Sequence, residues 1–226
     1  MRILAPETVS VQKFAVVEVE NVEELSSIDR KVLENSGVTR FLLQFADESL
    51  QMKTDDSFLE FVGSQKIGYS VARDSLNAPP AEMSDICEHR LTEAELSAWV
   101  DFTYEEAAQK RMSFVTKVEL TELKAASFRH GKEGRYLALS DEIGRLAFAV
   151  TCGMSIADRR VSLISWIWIR DNIDASLKKN LRNKILQFFK QSGESELFAS
   201  VYSANSRSRS FFTSLGFGAR CLFINI

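Results

Sequence analysis

Cysteine, proline, histidine and glycine are all scarce in this 226-residue chain, and neither sign of charge dominates it. The three cysteines, Cys87, Cys152 and Cys221, are odd in number and far apart. That pattern fits neither a disulfide framework nor a CxxC metal site, and it favours a reducing cytoplasm. His89 and His130 are the only histidines, and neither has a second His or Cys at ligand spacing, so no structural metal is expected. With 28 basic and 31 acidic residues the net charge is -3, which leaves no global field to hold a polyanion and disfavours nucleic acid as a partner. The most apolar run, Val161 to Ile169, is far shorter than the ~20 residues needed to cross a bilayer. The N-terminal MRILAPETVS lacks the charged and apolar regions of a signal peptide. A cytoplasmic protein with no membrane partner is the expectation.

What is present is an ordinary globular composition, 45% hydrophobic and 26% charged, enough to bury a core. Of three prolines, Pro79 and Pro80 are adjacent, fixing φ twice and removing two backbone donors. They mark the expected boundary between residues 1–80 and 81–226. Before it the pattern predicts a strand over Lys13–Glu20, a helix with stripe Val22, Leu25, Ile28 and Val32, a strand TRFLLQFAD, a short helix around SFLEFVGSQ, and a strand YSVARDSL.

After the boundary, Thr92 with Glu95 caps a helix whose Leu96, Val100 and Tyr104 recur at helical spacing, and a further helical stretch follows. RYLALSD, RLAFAVTCGM and RRVSLISWIWI then predict an antiparallel meander of three strands. A helix with stripe Leu177, Leu181, Ile185 and Phe188 comes next and stops at Ser192-Gly193. The chain closes with strand ELFASVYSA, short helix SRSRSFFTSL and strand FGARCLFINI. The two ends share a cadence. Ser36-Gly37 aligns with Ser192-Gly193, and Gly68-Tyr69 with Gly216-Phe217, so the strand, helix, strand, helix, strand order reads as one unit written twice.

The segment Asn205–Phe217, NSRSRSFFTSLGF, is similar to the N-x-x-A/S-x-x-x-Y-x-x-x-G-F signature of the GNAT N-acetyltransferases, and the element order from about Asp85 to Ile226 resembles that family's. The resemblance implies an α+β GNAT fold, a mixed and mostly antiparallel central sheet flanked by helices. Residues 1–80 would be a degenerate N-terminal GNAT-like half-domain, an arrangement resembling the dTDP-fucosamine acetyltransferase type, and residues 81–226 the acyltransferase domain.

The implied activity is transfer of an acyl group from acetyl-CoA or another acyl-CoA, with no metal, to a small-molecule amine such as an amino sugar. Assembly as a homodimer stays open. The rival readings are a non-catalytic GNAT-like module that binds a ligand or protein, and a tandem-GNAT aminoacyl-tRNA-dependent transferase. In such a fold Ile167 and Ile169 would offer main-chain contacts to pantetheine, and Asn205 would hydrogen-bond near it. The family's glycine-rich diphosphate loop aligns with Ile173–Lys178, where this chain has no glycine. Ser176, Leu177, Lys178, Lys179 and Arg182 open that helix, where cations oppose the dipole unless an anion is near. They either grip the diphosphate or form a solvated face, and Asp174 reads as an ordinary N-cap. Phe212 stands where the family has its acidic Tyr, leaving Tyr202, Ser203 or Ser210 as alternative acids. Glu133, His130, Asp141 and Glu142 are the candidate bases, and nothing in the sequence selects among them.

Overall fold

The computed structural model describes residues 2–9, 12–19, 40–45, 64–81, 85–156 and 159–225. The chain falls into two compact units. One comprises Met1–Val71, Met154–Val161 and Phe198–Ile226, the other Ala72–Gly153 and Ser162–Leu197.

In the first unit, β1 (Arg2–Val9), β2 (Gln12–Val19), β3 (Arg40–Phe45), β4 (Ser64–Ala72) and the last strand, β10 (Gly218–Asn225), lie in the order β1-β2-β3-β10-β4. β2 and β3 run parallel while the other neighbours are antiparallel, so the sheet is mixed. β1 was not foreseen. Its Pro6 cannot donate to a ladder, and the β1–β2 register shifts between Ile3 and Pro6, as suits a proline on an edge strand. β10 sits between two partners: Leu222 is opposite Leu43 on one side and Ile67 on the other, and all three are buried. The expected helix over 22–32 lies outside the described residues, and so does the one around 57–65 except for its last two residues, Ser64 and Gln65, which are not helical but open β4.

β4 corrects one expectation. It starts at Ser64 rather than Tyr69 and ends at Ala72, where Arg73–Ser75 form a 3-10 turn. Gly68 therefore lies inside a strand instead of punctuating one. A Cβ there would collide with Cys221 Sγ and come within 2.6 Å of Phe198 Cζ, so packing and not a turn requires the glycine.

In the second unit, β5 (Cys87–Glu88), β6 (Arg135–Asp141) and the larger parts of β7 (Gly144–Ile156) and β8 (Arg159–Ile169), whose joined ends from Met154 to Val161 belong to the first, lie in the order β8-β7-β6-β5, and β6 pairs with β7 antiparallel. Among the described residues the α-helices are α1 (Glu93–Arg111), α2 (Lys117–Glu133), α3 (Ala175–Lys190) and, in the first unit, α4 (Ser206–Ser214). Thr92 and Thr116 both close complete capping boxes, with Glu95 and Glu119 as the returning carboxylates. Leu96, Trp99, Val100 and Tyr104 of α1 pack with Ala138, Phe148, Val150 and Trp168 as one apolar cluster. The Tyr136 hydroxyl accepts from Leu91 N at 2.7 Å and donates to Leu91 O at 3.1 Å, pinning the entry of α1 to β6. Among the described residues no helix is long and apolar enough to cross a membrane.

Candidate functional site

The positions expected to meet an acyl-CoA fall on three elements, β8, α3 and α4. Ile167 and Ile169 are half-buried on β8. Asp174 caps α3 as expected: its Oδ1 accepts from Leu177 N at 2.8 Å, and its carbonyl accepts from Lys178 N at 3.0 Å. In the two turns that follow, Ser176, Lys178 and Lys179 are exposed, and Leu177 and Arg182 half-buried. The α3 stripe behind them is buried through Leu181, Ile185 and Phe188, which fixes the basic positions on the outer arc of the helix.

Asn205 and Phe212 belong to the first unit and are placed by α4. Asn205 is the N-cap of that helix, its Oδ1 accepting from Ser208 N at 3.0 Å, so its side-chain oxygen already has a partner. Phe212 is 5% exposed, stacked on Tyr69 at 6.1 Å and edge-on to Phe217 at 5.0 Å. It is a core residue of that unit. Tyr202 carries Lys66 Nζ over its ring at 4.5 Å, and Ser210 is exposed.

The candidate bases separate once their partners are known. Asp141 holds a turn, its Oδ1 accepting from Ile143 N at 2.9 Å and Gly144 N at 2.8 Å, and its other oxygen is 3.6 Å from Arg170. Glu142 and Glu133 are exposed. His130 is 8% exposed and ends a polar chain in the core: its Nδ1 is 2.8 Å from Ser165 Oγ, which is 3.2 Å from Ser127 Oγ, which is 2.7 Å from the Tyr104 hydroxyl. Burial, assisted by Arg129, holds its pKa below the ordinary value.

Where β8 runs out, a cleft of about 590 Å³ opens among α1, the β6–β7 turn and residues 170–172. Sequence reasoning did not assemble it, although one signal was visible. Phe102, Glu106 and Lys110 recur every fourth residue on α1, away from the apolar Leu96, Val100 and Tyr104. Gly144 supplies the space in the turn: its φ is +136°, and a Cβ there would come within 3.3 Å of Arg170 Nη2. Opposite it, the Arg145 guanidinium lies over the rings of Trp99 (4.9 Å) and Phe102 (4.6 Å), and donates to Ala98 O at 3.0 Å. Burial lowers its pKa from the ordinary arginine value. Among the described residues, no group of His, Cys, Asp and Glu side chains is arranged to hold a metal ion.

No curated protein sequence matches this chain. Among solved structures, a functionally unknown conserved protein from Staphylococcus epidermidis superposes with a TM-score of 0.52 at 9% identity, over 96% of this chain and 87% of its own. A GCN5-related N-acetyltransferase from Kribbella flavida gives 0.48 at 12% identity, over 99% and 87%. The PaiA N-acetyltransferase of Thermoplasma acidophilum, in complex with coenzyme A, gives 0.43 at 14%, over 62% and 99%. At 9% identity the first of these likenesses concerns the fold alone. The acetyltransferase (GNAT) domain family matches residues 93–221, more than half of the sequence. With two capped helices, the β6–β8 strands, α3, β9 (Glu196–Tyr202), α4 and the start of β10 inside that match, the chain has the GNAT fold and belongs to the GNAT acetyltransferase family.

Proposed function

We propose that the protein is an acyl-CoA-dependent N-acyltransferase, in first choice an acetyltransferase, acting on a small-molecule amine such as an amino sugar. Residues 81–226 are its acyltransferase domain, and residues 1–80 a degenerate half-domain of the dTDP-fucosamine acetyltransferase type. In the reaction the amine nitrogen attacks the thioester carbonyl, the C–S bond breaks, and the proton lost by the nitrogen balances the one taken by the departing thiolate. Main-chain groups at Ile167 and Ile169 would hold pantetheine, Asn205 would stand near it, and Phe212 would pack the wall behind it.

The observation that carries this reading beyond family membership is the pair of exposed ammonium groups, Lys178 and Lys179, in the opening turns of α3. Cations there oppose the helix dipole and are relieved by an anion. With Arg182, and with the main chain of Ser176, they stand in for the missing glycine loop, whereas Leu177 N, the other main-chain group expected there, is already taken by Asp174 Oδ1. One observation favours a second reading, a non-catalytic GNAT-like binding module: Phe212 occupies the acid's place in the signature, is buried, and has no proton to give.

Isothermal titration of CoA into the wild-type chain and into a triple variant, Lys178→Gln, Lys179→Gln and Arg182→Gln, tests the proposal. Three charge contacts, from exposed Lys178 and Lys179 and half-buried Arg182, at about 0.5 kcal/mol each predict a loss of about tenfold in affinity, shrinking in high salt. Equal affinity of the two proteins would show that the cluster is a solvated face. CoA binding by the wild type with no thiol release from acetyl-CoA, on any amine tried, would select the module.

A further inference from the structure

Side chains from three elements of the second unit form one hydrogen-bonded row: Tyr104 of α1, Ser127 and His130 of α2, and Ser165 of β8. Ser165 is half-buried and the other three are buried. The two ends of the row differ in kind, since a phenol is the most acidic of these hydroxyls and an imidazole nitrogen the most basic acceptor. Donation therefore runs one way, from Tyr104 to Ser127, from Ser127 to Ser165, and from Ser165 to His130 Nδ1. In so enclosed a setting each bond polarises the next. This direction leaves the hydrogen of the neutral imidazole on Nε2. A second contact ties the same elements together: the Tyr104 ring is stacked on that of Trp166, the residue after Ser165, with centroids 3.8 Å apart. Trp166 Nε1 in turn donates to Thr103 Oγ1 of α1 at 3.1 Å.

A protonated imidazole has no acceptor at Nδ1 and must donate there. Ser165 then donates to Ser127, Ser127 donates to Tyr104, and the phenolic proton turns away from Ser127. We infer that the row is an acid-triggered switch, in which one proton taken up by His130 reverses its three hydrogen bonds and, through Tyr104, displaces Trp166 on β8. The charged groups acting on His130 are Arg129 and Glu133 of its own helix, with opposite signs. Cys152 of β7 is set against the same two residues, and burial above all pushes its thiol up to about 11, so it stays neutral while His130 titrates. β8 and α1 bring hydroxyls to the row. Ile167 follows Trp166 on the strand that the proposed function sets against pantetheine, so the switch would make the hold on acyl-CoA acid-sensitive. That consequence rests on the transferase reading, whereas the switch itself does not.

The experiment is an NMR pH titration of the full chain without CoA, so a protein that transfers no acyl group is tested equally well. With two histidines and three tryptophans in the chain, the His130 ring nitrogens and the Trp166 indole N–H are identified by their loss in His130→Asn and Trp166→Phe. At about pH 7.5 the hydrogen is expected on Nε2, with Nδ1 bare. As pH falls below about 6.5, the ordinary histidine value, the Trp166 signal should shift with the midpoint of His130, and further than those of Trp99 and Trp168. Ser165→Ala cuts the row, so Trp166 should no longer follow His130, and Ser165→Thr, which keeps the hydroxyl, should restore the link. Glu133→Gln removes the neighbouring carboxylate and should leave the two midpoints coincident. A hydrogen on Nδ1 at neutral pH overturns the inference, as does a Trp166 signal that ignores the His130 midpoint in the wild type or still follows it in Ser165→Ala. Movement of all three indole signals together to unfolded positions overturns it too, because acid would then be melting the fold and not turning the row.

Discussion

The imidazole of His130, 2.8 Å from Ser165 Oγ and 8% exposed, is held in a setting that penalises its charged form. Its folded pKa lies below the ordinary 6.5, with burial the main cause. The unfolded chain therefore binds a proton more readily than the folded one. The stability that neutral His130 supports is present above about 6.5 and is lost as pH falls from there through the folded value. Thermal melts of the wild type between pH 7.5 and 5.5 are expected to show a falling melting temperature, and His130→Asn, which does not titrate, a flatter profile. Parallel profiles would mean that other groups carry the acid sensitivity. The sequence offered His130 as one of four candidate bases without a reason to rank them. The reason is tertiary: Ser127 on α2, Ser165 on β8 and Tyr104 on α1 are far apart in the chain, and their polar row exists only once the elements pack. Asp141 shows the reverse. Its turn-holding bonds reach only two and three residues ahead, the local pattern that aspartate before a glycine turn announces.

At the scale of single elements the sequence was most legible where its signals are local. The Thr92–Glu95 capping box, the Asp174 cap, the three-strand meander and the buried stripe of α3 all follow from residues within a few positions of each other. Gly68 misled for the opposite reason, because what demands a glycine there is Cys221, more than a hundred residues away. The α3 cap carries a prediction of its own. Asp174 satisfies Leu177 N, yet its charge stands at the helix end where the proposed diphosphate docks. Asp174→Ser keeps a capping oxygen and removes the charge, so stability should change by only a few tenths of a kcal/mol. CoA affinity should rise, because a like charge has been removed from beside the phosphates. Asp174→Ala should cost about 1 kcal/mol of stability through the lost cap while raising affinity in the same direction. Chemical denaturation and CoA titration on both variants check the two signs separately. An unchanged or lowered CoA affinity in Asp174→Ser would place the diphosphate elsewhere.

For the molecule as a whole, the division read in the sequence and the division made by contacts are different things. Residues 81–226 contain the complete family match, 93–221, yet their last strand is not completed within them. β10 is bonded on one edge to β3 and on the other to β4, both encoded before Pro79. Such pairing has no local signature, since strand propensity says that a segment is a strand and not which strand it will join. The row Leu43–Leu222–Ile67 is 1%, 0% and 0% exposed. Deleting residues 1–80 uncovers Leu222 and its neighbours Phe223 and Ile224, each a side chain whose burial is worth about 1.5–3 kcal/mol. The same deletion leaves both ladders of β10 open as edges, the template along which strands aggregate. A chain of residues 81–226 is therefore expected to accumulate as insoluble or oligomeric material, although the whole acetyltransferase match lies inside it. Size-exclusion chromatography and near-ultraviolet circular dichroism of the truncated and full-length chains decide the matter. A monomeric truncated protein with the full-length near-ultraviolet spectrum would show that β10 folds without its two partners, and that residues 1–80 are dispensable to the transferase core.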